Sequence, residues 1–365
     1  MKITSIRIAQ LKIPLIRPFI TAVRRTENVN DVVVMIKTDS GHTGYGSAAS
    51  TPLITGDNET TIITAIRDVL APQLIGQDLN AFRYLLQINQ SALLKNTSAK
   101  AAIDIALHDL FAQHCGVPLY QLLGGGRRQI RTCVTISVKS IEEMVADAIT
   151  MVHASFQIIK IKIGLNPVED IERVKAIRQA VGDEVTLLVD ANQGYKREDA
   201  LRVIQALQEY RVEMIEQPVK AEDWDSLNYL CKQDVNFIVA DEACFSPKDA
   251  LHIAQHHACD GINIKLMKSA GLENAEAIYQ IAKTANIRLM VGCMLESPIG
   301  VAAIASFALS KPDILYADLD PIVLIRENYV MGGAQWVGNE IVLSDKPGLG
   351  IEGFSQGLTF VCDVN

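Results

Sequence analysis

Thr186-Leu187-Leu188-Val189-Asp190-Ala191-Asn192 is an aliphatic, β-branched run that stops at a carboxylate and an amide. Its length suits a short strand, and the polar stop suits a strand end facing a functional surface. The same texture recurs at 132–138, 158–163, 213–217, 237–242, 261–266, 288–296 and 316–320. Amphipathic helical periodicity fills intervals between them, at 141–153, 168–181, 197–210, 247–258 and 272–285. Eight such runs joined by helices predict a (β/α) barrel. The rival, a doubly wound open sheet, usually has fewer strands and a Gly-rich first turn, which is absent here.

Outward from this repeat the texture changes. Residues 1–125 open with Ile6, Ile8, Leu11 and Ile13 in a strand-like stretch. Val32-Val33-Val34-Met35-Ile36 and the Gly41…Gly44-Tyr45-Gly46 turn then read as a hairpin. Helical periodicity then covers 61–70, 82–94 and 98–115, which makes this part an α+β domain. Gly124-Gly125-Gly126 lacks the G-x-x-x-x-G-K-[ST] pattern of a phosphate loop and has no strand before it, so it reads as a domain junction. After Asp320 no regular helix returns. The expected fold is therefore α/β: a (β/α)7β TIM-like barrel over 126–322, an N-terminal α+β capping domain over 1–125, and a C-terminal segment, 323–365, packing back toward the cap.

Composition narrows the function classes. The chain has 365 residues, is 49% hydrophobic and 21% charged, and carries a net charge of −8. That is globular and too acidic for a nucleic-acid binder. The longest apolar run, 299–309, is too short to span a membrane, and the first residues do not form a signal-peptide core. Seven scattered cysteines without a C-x-x-C fit a reducing cytoplasm. Oligomeric state is left open, with a homo-oligomer compatible with this composition.

Barrel active sites lie at the C-terminal strand ends. Those ends carry Lys160 and Lys162, Asp190 and Asn192, Glu216 and Gln217, Asp241 and Glu242, Lys265 with Lys268 beyond it, Glu296, and Asp318 with Asp320. From Lys162 the steps to Asp190, Glu216, Asp241 and Lys265 are about one βα unit each. Asp190, Glu216 and Asp241 should therefore stand at one level on adjacent strands, a set of hard oxygens suited to Mg²⁺. The bland alternative is three unrelated acids that cap helices or pair with arginines. Lys162 and Lys265, on strands two and six of eight, should face each other. Two opposed amines can take a proton from one face of a carbon and return one to the other, provided their pKa is depressed. Ion pairing with the same acids is the alternative. His252, His256 and Cys259 have spacing compatible with zinc but fall on an outer helix. Cys293 reads as pocket lining, and Glu296 as a wall residue or a partner of Lys265.

Ile158-Ile159-Lys160-Ile161-Lys162-Ile163-Gly164 looks like the K-x-K strand of the enolase superfamily, muconate-lactonising subgroup. Val189-Asp190-Ala191-Asn192-Gln193-Gly194, Ile215-Glu216-Gln217-Pro218, Ala240-Asp241-Glu242 and Asn263-Ile264-Lys265-Leu266-Met267-Lys268 are similar to its remaining signatures, in order. The likeness extends through the cap to Lys346-Pro347-Gly348-Leu349-Gly350-Ile351. Ala317-Asp318-Leu319-Asp320 resembles the D-x-D motif of dipeptide epimerases. The resemblance implies one Mg²⁺ per subunit on Asp190, Glu216 and Asp241, and Lys162 and Lys265 as an acid/base pair working through an ene-diolate. It implies that Asp318 and Asp320 receive a dipeptide's ammonium, with Thr135 and Lys160 among the substrate-binding groups and Asn192, Glu242, Lys268 and Glu296 in support. It also implies specificity loops near 18–26 and 52–57. There Arg24 resembles the arginine that holds an acidic side chain in L-Ala-D/L-Glu epimerases, while Ile20 and Ile54 would suit a hydrophobic one. A muconate-type cycloisomerase and a non-catalytic binding barrel are the remaining alternatives. Ser47 departs from the pattern, which commonly has Glu at that position.

Overall fold

The computed structural model describes residues 1–21 and 25–365. The cap is built on an antiparallel sheet of Ile3–Ile20, Arg25–Thr38 and Thr43–Ala49, flanked by the chain's last strand, Leu358–Val364. Period-two alternation sends Ile6 and Ile8 to one face and Ala9, Leu11 and Ile13 to the other. The first set packs on the cap helices and the second joins the core shared with the barrel. Both faces of this sheet are thus buried, as its apolar runs require.

The helix Thr97–Cys115 lies flush on the sheet. A Cβ at Gly46 would come within 1.9 Å of the Ala102 carbonyl oxygen, and one at Gly44 within 2.4 Å of that of Ala106. The two glycines of the hairpin are what permit this approach.

Eight parallel strands follow: Val134–Ile136, Ile158–Lys162, Thr186–Asp190, Val212–Glu216, Phe237–Ala240, Gly261–Ile264, Arg288–Gly292 and Ile314–Asp318. They form a nearly closed barrel. The seam between the first and the eighth is bridged by Cys133 N donating to Ala317 O at 2.8 Å and Thr135 N donating to Asp320 Oδ2 at 2.6 Å. The run at 288–296 is shorter as a strand than the sequence suggests, because beyond Gly292 the chain turns into a loop at the barrel mouth.

Outer helices show their start signals. Ser140 and Glu143 form a capping box for Ile141–His153, and Asn166 caps Pro167–Val181. Pro298–Leu309, the apolar run noted above, is a helix buried nearly all round between barrel and cap. It therefore shows no amphipathic period. No helix among the described residues is long and apolar enough to cross a membrane. After the eighth strand only the four-residue turn Pro321–Leu324 stands where an eighth helix would be.

The tail divides its pairing. Leu358–Val364 joins the cap sheet beside Ile3–Ile20. Glu340–Val342 instead pairs with Gln129–Arg131 just before the first barrel strand, covering an edge that would otherwise be open. Gly124-Gly125-Gly126 makes the turn between the short helix Leu119–Leu122 and that edge. All seven cysteines are free thiols.

Candidate active site

In-register pairing sets the site. Lys162 is opposite Asp190, and Asp190 opposite Glu216, at the ends of strands two to four. Asp241 follows the fifth strand directly. Asp190, Glu216 and Asp241 are buried, and one carboxylate oxygen from each lies within 4.8 Å of the others. This is the one metal-competent cluster among the described residues, and a set of three buried hard oxygens fits Mg²⁺.

Buried carboxylates need compensation, and here lysines supply it. Lys162 Nζ donates to Asp190 Oδ2 at 2.6 Å, and Lys265 Nζ to Asp241 Oδ2 at 2.6 Å. Lys268 Nζ lies 2.7 Å from Asp241 Oδ1 and donates to Asn263 O at 2.9 Å. Burial works against ionisation of Asp190 and Asp241, but Lys160 and Lys162 around the first, and Lys265 and Lys268 around the second, hold both below the usual carboxylate range. Glu216 is pushed up to about 7, first by burial and then by Asp190. The depressed lysine pKa expected for a base is not what this arrangement produces at Lys265. Burial alone would lower it, yet Asp241 and Glu216 outweigh that and raise it.

Lys162 and Lys265 both line one cavity at the barrel mouth, together with Asn192, Thr135, Asp318 and Asp320. Phe19, Thr21 and Ile54 from the cap and Met294, Leu295 and Leu324 from the barrel close it. Thr135 Oγ1 donates to Asp318 Oδ1 at 3.4 Å. Asp320 is pushed up to about 6 by burial and then by Asp318, while Lys160 foremost, against the effect of burial, holds Asp318 low. Asn192 Nδ2 bridges Asp190 and Glu242, at 3.4 and 3.3 Å. Glu242 is raised to about 8 by burial and then by Asp241.

Two candidate residues stand away from the cavity lining. Lys160 is fully buried and does not line the cavity. Its Nζ sits beneath it, 2.6 Å from Asp318, 2.7 Å from Glu216 and 3.1 Å from Asp190, where it neutralises these carboxylates. Glu296 neither lines the cavity nor pairs with Lys265, because its carboxyl turns back toward the cap. There Oε1 accepts from Met294 N at 2.9 Å and Oε2 has no partner. Beside it Asp31 Oδ2 accepts from Ser297 N at 2.8 Å, and Ser297 Oγ bonds Ser47 Oγ at 3.0 Å. Position 47 thus faces a buried acid seam, where a glutamate would add a third carboxylate. Arg24 lies outside the described residues.

Sequence reading missed Asn263, whose Nδ2 donates to Glu216 Oε1 at 2.9 Å. Its signal was its place two residues before Lys265 on the same strand face. Gln217, read at a strand end but given no role, has its Oε1 accepting from Asp241 N at 2.9 Å and Ala243 N at 3.0 Å, which fixes the fifth strand's end. Cys293 lines the cavity with its thiol pushed well up by burial, which suits a wall and not a nucleophile. His252 packs between Trp224 and His256 on the outer face, the rings tilted and their centroids 4.6 and 4.4 Å away.

Family models match most of the chain: the mandelate racemase / muconate lactonizing enzyme N-terminal domain over 3–124 and the enolase C-terminal domain-like model over 143–354. An L-Ala-D/L-Glu epimerase of Clostridium acetobutylicum is 46% identical over 98% of this chain and 100% of its own. A substrate-liganded complex of the L-Ala-D/L-Glu epimerase from Bacillus subtilis has a TM-score of 0.96 at 40% identity, covering 98% of this chain and 100% of that one. A dipeptide epimerase from Enterococcus faecalis, complexed with Mg and L-Leu-L-Tyr, has a TM-score of 0.92 at 38% identity, covering 96% and 99%.

Proposed function

The chain belongs to the mandelate racemase / muconate lactonizing enzyme family of the enolase superfamily, and from that membership we propose that it is a Mg²⁺-dependent dipeptide epimerase that inverts the α-carbon of the C-terminal residue. The observation that carries this reading is the joint presence, in one cavity, of Lys162 and Lys265 on the metal-competent triad and of Asp318 and Asp320 beyond them.

Asp190, Glu216 and Asp241 are the residues that would hold the metal. Bound there, Mg²⁺ would supply Lewis-acid stabilisation of the charge that develops on the substrate carboxylate. Lys162 and Lys265 do the proton work. One Nζ takes the α-proton, the C–H electron pair passes into the carboxylate as an ene-diolate, and the other Nζ returns a proton to the opposite face. Asp318 and Asp320 orient the dipeptide through its ammonium, and Thr135 holds both acids in place.

The same pair of acids would repel the dianion of a muconate-type cycloisomerase, and a binding barrel has no need for opposed amines. At the second residue we favour an L-Ala-L-Glu type of substrate, with Arg24 as its partner. Ile54, Phe19 and Leu295 on the cavity wall support a hydrophobic residue as the alternative. The seven free thiols support placing the enzyme in a reducing cytoplasm. Incubation of a dipeptide library with Mg²⁺ in D₂O, read by mass, tests the reading. One deuterium should enter at the C-terminal residue with inversion, and absence of exchange with every dipeptide would refute it.

A further inference from the structure

A full eight-fold repeat would cover the outside of strands eight and one with an eighth helix. Here only Pro321–Leu324 stands there, and the ribbon at Ile16–Phe19 roofs what remains. The result is a cavity of about 160 Å³, walled by Ile16, Phe19, Ile136, Met151, Val323 and Leu324. Phe19, Thr135 and Leu324 belong to this cavity and to the catalytic one alike, so the two adjoin at Thr135.

That junction is where the first residue of a dipeptide arrives. An ammonium held by Asp318 and Asp320 puts its α-carbon beside Thr135, which bonds both carboxylates. The mouth beyond the lysines is taken up by the reacting second residue. The space that adjoins this end of the dipeptide across Phe19, Thr135 and Leu324 is the second cavity. We propose that this cavity is the subsite for the side chain of the dipeptide's N-terminal residue and that it selects an aliphatic or aromatic one, an inference that rests on the epimerase reading above.

The chemistry of the walls decides the class. Burying apolar side chains against such walls is favourable in proportion to area, and a cavity of about 150 Å³ lined by aliphatic and aromatic residues is large enough for a benzene ring. At the rim Asp147 Oδ1 accepts from Arg17 at 2.6 Å while Lys139 holds its other oxygen, so one carboxylate faces two cations. The surplus positive charge disfavours lysine or arginine as the occupant. A carboxylate side chain would find Arg17 and Lys139 already bonded to Asp147 and would lose its hydration against the apolar part of the wall.

The test is kcat/KM for dipeptides with Gly, Ala, Leu, Phe, Lys or Glu first, and L-Glu or L-Phe second. The parent should prefer Leu over Gly by about tenfold or more. Ile16→Trp, at a half-exposed rim position, should fill the cavity and bring the Leu-to-Gly ratio toward one, while Met151→Ala should enlarge it and move the optimum from Leu to Phe. A parent ratio near one, or a ratio that neither variant alters while dipeptides still turn over, would overturn the subsite and leave the epimerase standing. Turnover of no dipeptide at all would overturn both.

Discussion

Two clusters of acids in this molecule are equally buried and electrostatically opposite. At the barrel mouth, Asp190, Glu216, Asp241 and Asp318 share their space with Lys160, Lys162, Lys265 and Lys268. At the seam between barrel and cap, Asp31 and Glu296 form no ion pair among the described residues, and each has one oxygen without a partner. The charges within reach of the seam are Glu59, Lys265 and the Cys293 thiol. Asp190 and Asp241 are accordingly held down. Burial pushes Asp31 up to about 6, and burial and then Asp31 push Glu296 up to about 8. Burial alone does not decide protonation; the sign of the neighbours does. The lysines at the mouth keep Asp190 and Asp241 charged, whereas at the seam Glu296 holds its proton up to about 8.

The contrast breaks first at the lysines. Lys162→Ala or Lys265→Ala should lower epimerisation by at least about 10³-fold, while the surviving lysine still exchanges the α-proton of one isomer in D₂O. Parental racemisation by both variants would remove the two-base mechanism.

Next come the acids that face the cavity. Asp318→Asn and Asp320→Asn should each lower kcat/KM by about 10- to 100-fold, the worth of one charge-assisted hydrogen bond. N-acetylated dipeptides should be similarly poor. Equal rates for free and acetylated substrate would show that these carboxylates serve only to close the barrel.

Asn263 sharpens the comparison within the mouth, because it is a neutral group orienting a metal-competent carboxylate. Asn263→Ala should weaken Mg²⁺ binding, read by calorimetry, by about tenfold. Unaltered affinity would leave it a packing residue.

The smallest effect belongs to the seam. A carboxyl whose folded pKa is raised stabilises the fold fully below its unfolded pKa, and that stability is lost as pH climbs through the folded value. For Glu296 the loss runs from the ordinary carboxylate range up to about 8. Glu296→Gln carries no such proton. Between pH 6.5 and 9, above the window of Asp31, the parent's Tm should fall relative to the variant by about 2–4 °C. Parallel curves would mean that Glu296 is ionised throughout.

Much of the mouth was legible because it is written periodically. A βα unit of nearly constant length puts residues about 25 apart at equal height, and Lys162, Asp190, Glu216 and Asp241 could be aligned on that count. Asn263 lies one inward-facing step below the Lys265 rung, and its bond to Glu216 crosses 47 residues of chain that spacing along one strand does not report. For Lys160 a substrate-binding role is implied only by the resemblance of its K-x-K strand. That it lies beneath the carboxylates depends on depth within the barrel, which spacing along one strand does not report.

Local periodicity and composition suffice for the barrel, the hairpin and helices of the cap, and the strand ends that carry charge. What lies between elements distant in the chain follows from how they pack. Asp31 meets Ser297 across 266 residues, and Ile16 meets Met151 and Val323 around a cavity left by a missing helix. Such contacts arise from how finished elements pack, and packing is set by the shape of the whole core rather than by any local pattern.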